Sequence, residues 1–294
     1  KNNTCDELAG CALGTDSTDC DKKCNKGDEA SRDGRMDGVC ANDGAGFFEP
    51  EVLPEAGSWG TGGLLGTWDG TVQARGSSTS DIVTRHFRVV VPRSYNPEVP
   101  TPVLFNLGGF SVDLYYLPEY TELNRAADRN NFIVVYGQPE WRDFGSDWFF
   151  AWYVYKNAFT GGWEDNPELE YLQAVSDEVR ALYNVDMTRT YVSGHSRGGA
   201  LSVIAALELP GLFAGFCSQA GFITENNYDD RMAELAPDYK TPGYLLHGQQ
   251  DPDVPVSRSD TLSDVLLELG WEWEGDYTYN KLDGVTHEWQ PQYN

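Results

Sequence analysis

One serine lies in a pentapeptide that is typical of serine nucleophiles. Residues 194–198 read Gly-His-Ser-Arg-Gly, a G-x-S-x-G pattern with Ser196 at its centre. The strand-like stretch TYVS comes directly before it and an apolar, helix-like stretch directly after it, so the pattern predicts a strand, a sharp turn and a helix. Such a turn places the hydroxyl at a helix N-terminus, where free N–H groups favour a developing negative charge. We therefore expect Ser196 to be a nucleophile.

A serine hydroxyl needs a general base, and the chain offers only four histidines. His86 precedes the serine on a predicted strand, His195 is its immediate neighbour, and His247 ends another predicted strand. In a strand–turn–helix hydrolase the order along the chain is serine, acid, histidine. This order leaves His287, in a loop near the C-terminus, as the predicted base.

The acid that orients the base should lie between the serine and His287, just after a strand. The segment HGQQDPDVP fits this place and contains two candidates, Asp251 and Asp253. Asp251 is favoured because it sits at the first turn after the strand, where its carboxylate can reach the imidazole and fix its tautomer. Asp253 is the alternative, or a cap for the segment that follows.

An acyl-transfer site also needs an oxyanion hole, which is a pair of N–H groups aimed at the developing negative charge. The backbone of Arg197, directly after the serine, supplies one donor. The loop after the strand PVLFNL supplies the other, from Gly109 or Phe110. The alternative for this loop is a plain Gly-Gly turn. These groups complete a reaction centre without a metal or an organic cofactor, and we expect neither.

The elements that must position these residues alternate along the chain. Strands are predicted at 85–92, 102–107, 132–136, 190–193, 212–220 and 244–247, and helices at 123–131, 169–182, 198–209 and 262–269. Continuous apolar strands separated by helices favour a mostly parallel sheet with helices on both faces. The fold class is therefore α/β.

Taken together, the motifs resemble the polyhydroxybutyrate depolymerase and feruloyl esterase type of α/β-hydrolase, close to carbohydrate esterase family 1. The resemblance runs through FIVVYGQPEW, residues 185–221, HGQQDPDVP and the terminal HEWQ, and covers about residues 85–290. It implies an α/β-hydrolase fold and hydrolysis of carboxylic esters through an acyl-enzyme. It also implies that Ser196, Asp251 and His287 form the catalytic triad.

Two positions depart from the pattern of that family. Leu107 stands where the family usually has the histidine of a His-Gly pair in the oxyanion loop, and Arg197 stands where a small or polar residue usually follows the serine. A long cation beside the nucleophile is expected at the rim of the cleft. These departures bear on the choice of substrate more than on catalysis.

The segment 141–163 is unusually rich in aromatic residues and lies between a predicted strand and a predicted helix, on the side where this fold keeps its active site. Aromatic faces stack on sugars, phenolic rings and flat polymer surfaces. Trp148 and, near the terminal histidine, Trp289 are the residues we expect to contact a substrate. The alternative for each ring is packing into the core beneath the cleft.

The composition limits the partners of this 294-residue chain. Its formal net charge of −25 disfavours nucleic acids and anionic membranes, and no apolar run is long enough to predict a transmembrane helix. An acidic surface with only seven lysines keeps a protein hydrated in strong salt, so a saline habitat or an ordinary acidic secreted protein both fit. We expect a monomer whose partner is an ester substrate, most simply a polymeric one.

The cysteines divide the chain unevenly. Five of the six lie between Cys5 and Cys40, in a polar segment too small to form a hydrophobic core. This predicts a disulfide-stapled segment over residues 1–44, a linker over 45–63 and a catalytic domain over 64–294. Disulfides imply an oxidising location, so we expect a secreted, extracellular or periplasmic protein. The alternatives are a zinc site or, from the clustered Asp residues, a calcium site. Cys217 is either a free core thiol or a bridge to the N-terminal segment.

The sequence thus predicts a secreted serine ester hydrolase that acts on polymers: a hydroxyalkanoate polyester, a feruloylated or acetylated polysaccharide, or an aromatic polyester. A serine peptidase of the prolyl-oligopeptidase type shares the order of the triad, but the chain is too short for the propeller domain that such enzymes use. A non-catalytic binder on the same fold is the third hypothesis, and the intact serine, aspartate and histidine argue against it.

Overall fold

A computed structural model describes residues 57–60, 62–76, 81–145, 147–156, 162–223, 228–235 and 240–294. Its strands are β1 Thr67–Arg75, β2 Ile82–Val90, β3 Thr101–Leu107, β4 Ile133–Gly137, β5 Glu140–Asp143, β6 Trp148–Ala151, β7 Val185–His195, β8 Gly215–Gln219, β9 Gly243–Gly248 and β10 Tyr277–Leu282. Its helices are α1 Leu117–Thr121, α2 Leu123–Asn130, α3 Pro167–Leu182, α4 Arg197–Glu208, α5 Tyr228–Leu235 and α6 Ser257–Glu268.

Eight of the strands form one sheet in the order β1-β2-β4-β3-β7-β8-β9-β10. Strands β1 and β2 pair antiparallel with each other, and β2 pairs antiparallel with β4. From β4 onward every pairing in the sheet is parallel, which confirms the predicted mostly parallel sheet. Because parallel strands end at the same edge, the loops after β3, β7, β8 and β9 lie together at the carboxyl edge of the sheet.

Helices cover both faces of this sheet, as the sequence predicts. Along β3, Val103, Phe105 and Leu107 pack in the large core with α3 and α4, whereas Leu104 packs on the opposite face with α2. This alternation follows from the two-residue repeat of a strand, which sends successive side chains to opposite faces. Both faces are apolar here because both are covered by helices.

Several elements were not predicted. Strand β1 and strand β10 flank the sheet and carry exposed polar side chains, so neither shows the apolar run that marks a central strand. Part of the aromatic segment forms a separate two-stranded antiparallel hairpin, β5–β6. Its pairing brings Trp141 opposite Phe150. This hairpin lies outside the main sheet and is the largest departure from the predicted order of elements.

The described part of the predicted linker is packed on the domain. The N–H of Ser58 donates to the carbonyl of Val185 at 2.9 Å, and the N–H groups of Gly62 and Gly63 both donate to the carbonyl of Leu182. Residues 57–60 and 62–63 therefore pack along the end of α3 and the start of β7.

The predicted Cys-rich segment, residues 1–44, lies outside the described residues, as do the first residues of the predicted linker. Cys217 lies within them, is buried in β8 and is not a free thiol. None of the described helices is both long enough and apolar enough to cross a lipid bilayer.

Candidate active site

Ser196 occupies the sharp turn between β7 and α4 that the sequence predicts. Its backbone has φ 55° and ψ −118°, a conformation that non-glycine residues rarely adopt. The N–H of Ser196 donates to the carbonyl of Gln219 at 2.8 Å, which ties the turn to the end of β8. Surrounding structure that holds a strained residue in this way is common at functional sites. The serine hydroxyl is thus fixed at the N-terminus of a helix.

Glycine is required next to this turn because the helix start lies against β3. A Cβ atom on Gly198 would overlap the carbonyl oxygens of Leu107 and Gly108, and one on Gly194 would overlap the backbone of Gly198. The two glycines of the G-x-S-x-G pattern therefore allow the close approach that positions Ser196.

Asp251 and His287 form the hydrogen-bonded pair that the sequence predicts. Asp251 lies in the turn after β9, and its Oδ2 is 2.6 Å from Nδ1 of His287. Its Oδ1 accepts the N–H groups of Asp253 and Val254 at 2.9 and 2.8 Å. Burial acts to raise the pKa of the Asp251 carboxyl, but the bond from His287 and these backbone N–H groups outweigh it and leave the pKa lowered. Asp251, not Asp253, is therefore the carboxylate that holds the histidine.

His287 lies beside the serine turn. Its ring centroid is 4.6 Å from that of His195, the residue directly before Ser196. Since Nδ1 is bonded to Asp251, Nε2 is the nitrogen left for a proton from Ser196. Within the part of the chain that the structure describes, the Ser196 hydroxyl makes no hydrogen bond to this ring. Such bonds are often long in unliganded enzymes and tighten once substrate is bound.

Two further histidines, which the sequence reasoning set aside, surround this pair. Nε2 of His247 lies 3.2 Å from Oδ2 of Asp251 and 2.8 Å from the carbonyl of Val254, while Nδ1 lies 2.7 Å from Oγ of Ser259. Because both partners of Nε2 are acceptors, Nε2 carries the proton. Burial lowers the pKa of His247, which favours the neutral ring, and its Nε2 proton is bonded to the carbonyl of Val254 with Oδ2 of Asp251 at 3.2 Å. The four-residue spacing of the H-G-x-x-D pattern is the signal that could have found it.

His195 is the second of these histidines. Its ring is buried between His287 and Tyr120, whose ring centroid is 5.8 Å away. Burial first, and then the neighbouring His287, lower the pKa of His195 to about 3. This ring is therefore neutral at ordinary pH. Three of the four histidines of the chain thus belong to the cluster around the Asp251–His287 pair, whereas His86 lies on the exposed side of β2.

The predicted oxyanion loop lies against the serine. A Cβ built on Gly109 would be 3.3 Å from Cβ of Ser196 and 3.3 Å from Nδ1 of His195. Within the described residues, the N–H groups of Gly109, Phe110 and Arg197 donate to no protein acceptor. The loop is held by Nε1 of Trp152, which donates to the carbonyl of Gly108 at 2.9 Å. These N–H groups are therefore available to an oxyanion.

A pocket of about 600 Å³ opens beside the serine turn. The β5–β6 hairpin forms most of its wall, and Arg197, the residue after the nucleophile, is also part of it. Trp148 lines the pocket and is 54% exposed, so its ring is accessible, and its contact with a substrate stays a prediction. Trp141 and Phe144 are exposed in the same wall.

The prediction for Trp289 is wrong. This side chain is only 4% exposed and packs with Leu117 and Leu123 on the α2 face of the sheet. Its indole N–H donates to Oδ1 of Asn294 at 3.2 Å, and its backbone N–H donates to the hydroxyl of Tyr120 at 2.7 Å. Trp289 therefore anchors the chain just after His287 and does not face a substrate. The H-x-W pattern does not distinguish these two roles.

One group of potential metal ligands occurs among the described residues. Ligand atoms of Asp251, Asp253 and His287 lie within 4.8 Å of one another. Both oxygens of Asp251 already accept hydrogen bonds, one of them from His287. A cation would have to displace that bond, so the geometry fits a proton-transfer pair better than a metal centre.

Comparison with known proteins places this architecture among ester hydrolases. The model of the Esterase family matches residues 82–263. A bifunctional acetylxylan esterase/xylanase from Neocallimastix patriciarum is 25% identical over 137 residues, which are 47% of this chain and 18% of that protein. Acyl-protein thioesterase 1 from Gibberella zeae is 26% identical over 105 residues, 35% of this chain and 43% of that protein. The chain spans less than half the length of the curated relatives that it matches.

Two solved structures share the fold. A ferulic acid esterase from Anaeromyces mucronatus, in complex with ferulic acid, superposes with a TM-score of 0.57 at 16% identity, over 79% of this chain and 88% of that one. An S-formylglutathione hydrolase from Agrobacterium tumefaciens superposes with a TM-score of 0.56 at 16% identity, over 77% of this chain and 90% of that one. At 16% sequence identity, this structural similarity shows a shared fold and nothing more.

Proposed function

This chain belongs to the Esterase family, and from that premise we propose that it is a serine hydrolase that cleaves carboxylic esters through an acyl-enzyme. One observation carries the proposal. The hydrogen-bonded pair of Asp251 and His287 lies beside the strained turn that holds Ser196, at the carboxyl edge of the sheet. A nucleophile, a base and an orienting acid in this order are the parts that acyl transfer needs.

In the proposed reaction Ser196 Oγ attacks the ester carbonyl as Nε2 of His287 takes its proton. Asp251 keeps the proton of Nδ1 on the imidazole and stabilises the positive charge that forms on the ring. The carbonyl oxygen becomes negative and is held by the N–H of Arg197 and by that of Gly109 or Phe110. His287 then gives its proton to the leaving alcohol, and the acyl group remains on Ser196.

A water molecule then hydrolyses the acyl-enzyme. His287 takes a proton from a water molecule, which attacks the acyl-enzyme through a second tetrahedral intermediate. Collapse of that intermediate frees the carboxylic acid and returns the proton to Ser196 Oγ. In this scheme water is the second substrate, and the residues named above carry every proton transfer.

The substrate that we propose is an ester with an aromatic acyl group, carried on a polysaccharide or polyester. The exposed rings of Trp141, Phe144 and Trp148 support it, because they line the same pocket as Arg197 and flat apolar faces stack on aromatic acyl groups. Hydroxyalkanoate polyesters and acetylated polysaccharides are the other members of the proposed class. We further propose that the protein acts as a secreted monomer, a location suggested by its cysteine-rich N-terminal sequence.

A competition assay tests this function. One reaction would hold ethyl ferulate, a hydroxybutyrate oligomer, acetylated xylan oligomers and a terephthalate diester, with products followed by mass spectrometry. Ser196→Ala is the inactive comparison, and Ser94→Ala, on the exposed surface, is the matched control.

We expect the aromatic acid to be released fastest and Ser196→Ala to lose activity by a factor on the order of 10⁶. Release of the same products by Ser196→Ala would overturn the proposed mechanism. If the wild-type protein releases no product from these esters but cleaves peptides in a parallel panel, the esterase proposal is wrong and the peptidase hypothesis is supported.

A further inference from the structure

Arg197 is a cation without a counter-ion in a strongly acidic protein. Several other buried or half-buried arginines have carboxylate partners; Nη2 of Arg85, for example, lies 2.7 Å from Oε2 of Glu168. Arg180 on α3 resembles Arg197 in having no ion pair within the described residues, but it does not line the pocket. Among the described residues no carboxylate lies within ion-pair distance of Arg197. In a chain with a net charge of −25, a half-buried guanidinium that is left unpaired beside the nucleophile calls for a ligand.

The surroundings of this guanidinium are aromatic. Its central carbon lies 5.9 Å from the ring centroids of Phe110, Phe144 and Tyr155. Nη1 donates to the carbonyl of Trp152 at 3.3 Å, and the side chain makes no other hydrogen bond within the described residues. A guanidinium has five N–H donors, so most of them are left for a ligand.

The other charged residues of the pocket lining are Arg142 and Glu140, which lie near opposite charges, and Asp143, which bonds only to a backbone N–H. Arg142 lies 3.8 Å from the buried carboxylate of Glu168, and Glu140 lies 3.9 Å from Arg85. Asp143 accepts the N–H of Gly145 at 2.7 Å. Arg197 is thus the one lining cation, among the described residues, whose charge has no carboxylate to balance it. An anionic group in this pocket would meet an unpaired guanidinium and aromatic walls together.

We propose that this pocket binds an aromatic ring that carries a free carboxylate, with the ring against the hairpin aromatics and the carboxylate paired to Arg197. Planar guanidinium groups bind carboxylates through two parallel hydrogen bonds, and they stack well on aromatic faces. The preferred substrate would then be the half ester of an aromatic dicarboxylic acid. This inference rests on the proposed esterase function and narrows its acyl group.

The experiment compares each half ester with a neutral analogue of nearly the same shape. The probes are the monomethyl esters of terephthalic and isophthalic acid, each beside the ester in which a carboxamide replaces the free carboxylate. The readout is the ratio of kcat/KM for the carboxylate to kcat/KM for the amide. The carboxylate and amide esters differ in intrinsic reactivity, but this difference is the same for every enzyme variant. It therefore cancels when the ratio is compared between wild type and variants.

We expect Arg197→Gln to lower this ratio about tenfold or more, chiefly through KM, because a charge-assisted hydrogen bond is lost. Arg197→Lys should give an intermediate ratio, since it keeps the charge but loses the planar fork. Arg93→Gln removes an equal charge from an exposed site and should leave the ratio unchanged. Added NaCl should lower the wild-type ratio and leave that of Arg197→Gln unaffected. An equal ratio in wild type and Arg197→Gln would overturn the proposal.

A binding measurement separates failure of this inference from failure of the esterase function. Calorimetry with free terephthalate and with terephthalamic acid, which lacks one charge, needs no turnover. Tighter binding of terephthalate by wild type than by Arg197→Gln would support the pocket even if no ester were cleaved. Equal and weak binding of both ligands to both proteins would refute the pocket while leaving hydrolysis of neutral esters intact.

Discussion

Nε2 of His247 lies 3.2 Å from Oδ2 of Asp251, the same carboxylate oxygen that Nδ1 of His287 reaches at 2.6 Å. One carboxylate oxygen therefore bonds to His287 and faces His247, and the other accepts from two backbone N–H groups. The two backbone bonds fix the carboxylate independently of His287. Its orientation toward His287 does not depend on the His287 bond itself.

This geometry predicts that His247 acts as a positioning residue. His247→Leu should lower kcat about 10- to 100-fold with little change in KM, because the N–H that faces the Asp251 carboxylate is lost. His247→Gln can keep a donor near the position of Nε2 and should retain more activity. Equal losses in both variants would indicate a purely structural role.

The position of Gly109 predicts sensitivity of the oxyanion loop. A Cβ at this residue would press on Ser196 and His195 at 3.3 Å each, so Gly109→Ala should move the loop outward. Loss of one oxyanion donor costs about 100- to 1,000-fold in kcat, and a displaced loop should cost at least tenfold. Gly211→Ala is the matched control, because a Cβ there meets nothing within 4 Å. Unaltered kcat in Gly109→Ala would exclude this loop from the site.

The buried pair of Arg85 and Glu168 predicts a large effect on stability. Glu168 also accepts the backbone N–H of Tyr153 at 2.9 Å, so it joins α3 to the chain just after the hairpin. Glu168→Gln should lower the free energy of unfolding by about 3 kcal/mol, because it leaves a buried guanidinium without its counter-ion. Glu170→Gln, two residues along the same helix, breaks only a half-exposed pair with Arg75 and should cost less than about 1 kcal/mol. Urea unfolding of the two variants compares them directly.

The buried His195 predicts loss of stability in acid. Its pKa is about 3 in the folded protein and 6.5 in the unfolded chain, so only the unfolded chain takes up a proton between these values. The free energy of unfolding should therefore fall by about 1.4 kcal/mol per pH unit as the pH drops from 6.5 toward 3. His195→Gln should flatten this slope, whereas His86→Gln, an exposed control, should not. The measurement is the urea midpoint of unfolding as a function of pH for wild type and both variants. Parallel curves for wild type and His195→Gln would contradict the prediction.

The acidic composition predicts salt dependence. With a net charge of −25, repulsion between surface carboxylates opposes the compact state, and salt screens it. The melting temperature and the esterase activity should both rise as NaCl is increased into the molar range. Sucrose at equal osmolality serves as the control for general stabilisation. A flat or falling response to NaCl would rule out adaptation to a saline habitat.

The sequence determined the local chemistry of this protein. The G-x-S-x-G pattern, with its two glycines, was sufficient to predict the strand, turn and helix around Ser196, because glycine at those positions follows from backbone contact alone. Apolar runs separated by helices likewise predicted the parallel sheet. The H-G-x-x-D pattern limited the acid to two residues.

The contacts between residues from distant segments of the chain were visible only in the tertiary structure. It selected Asp251 over Asp253, brought His195 and His247 around the same carboxylate and buried Trp289 instead of exposing it. It also folded the aromatic segment into a hairpin that encloses Arg197. These outcomes arise because loops after β3, β7 and β9, far apart in the chain, end at one edge of the sheet, and no pattern within a single segment records that meeting.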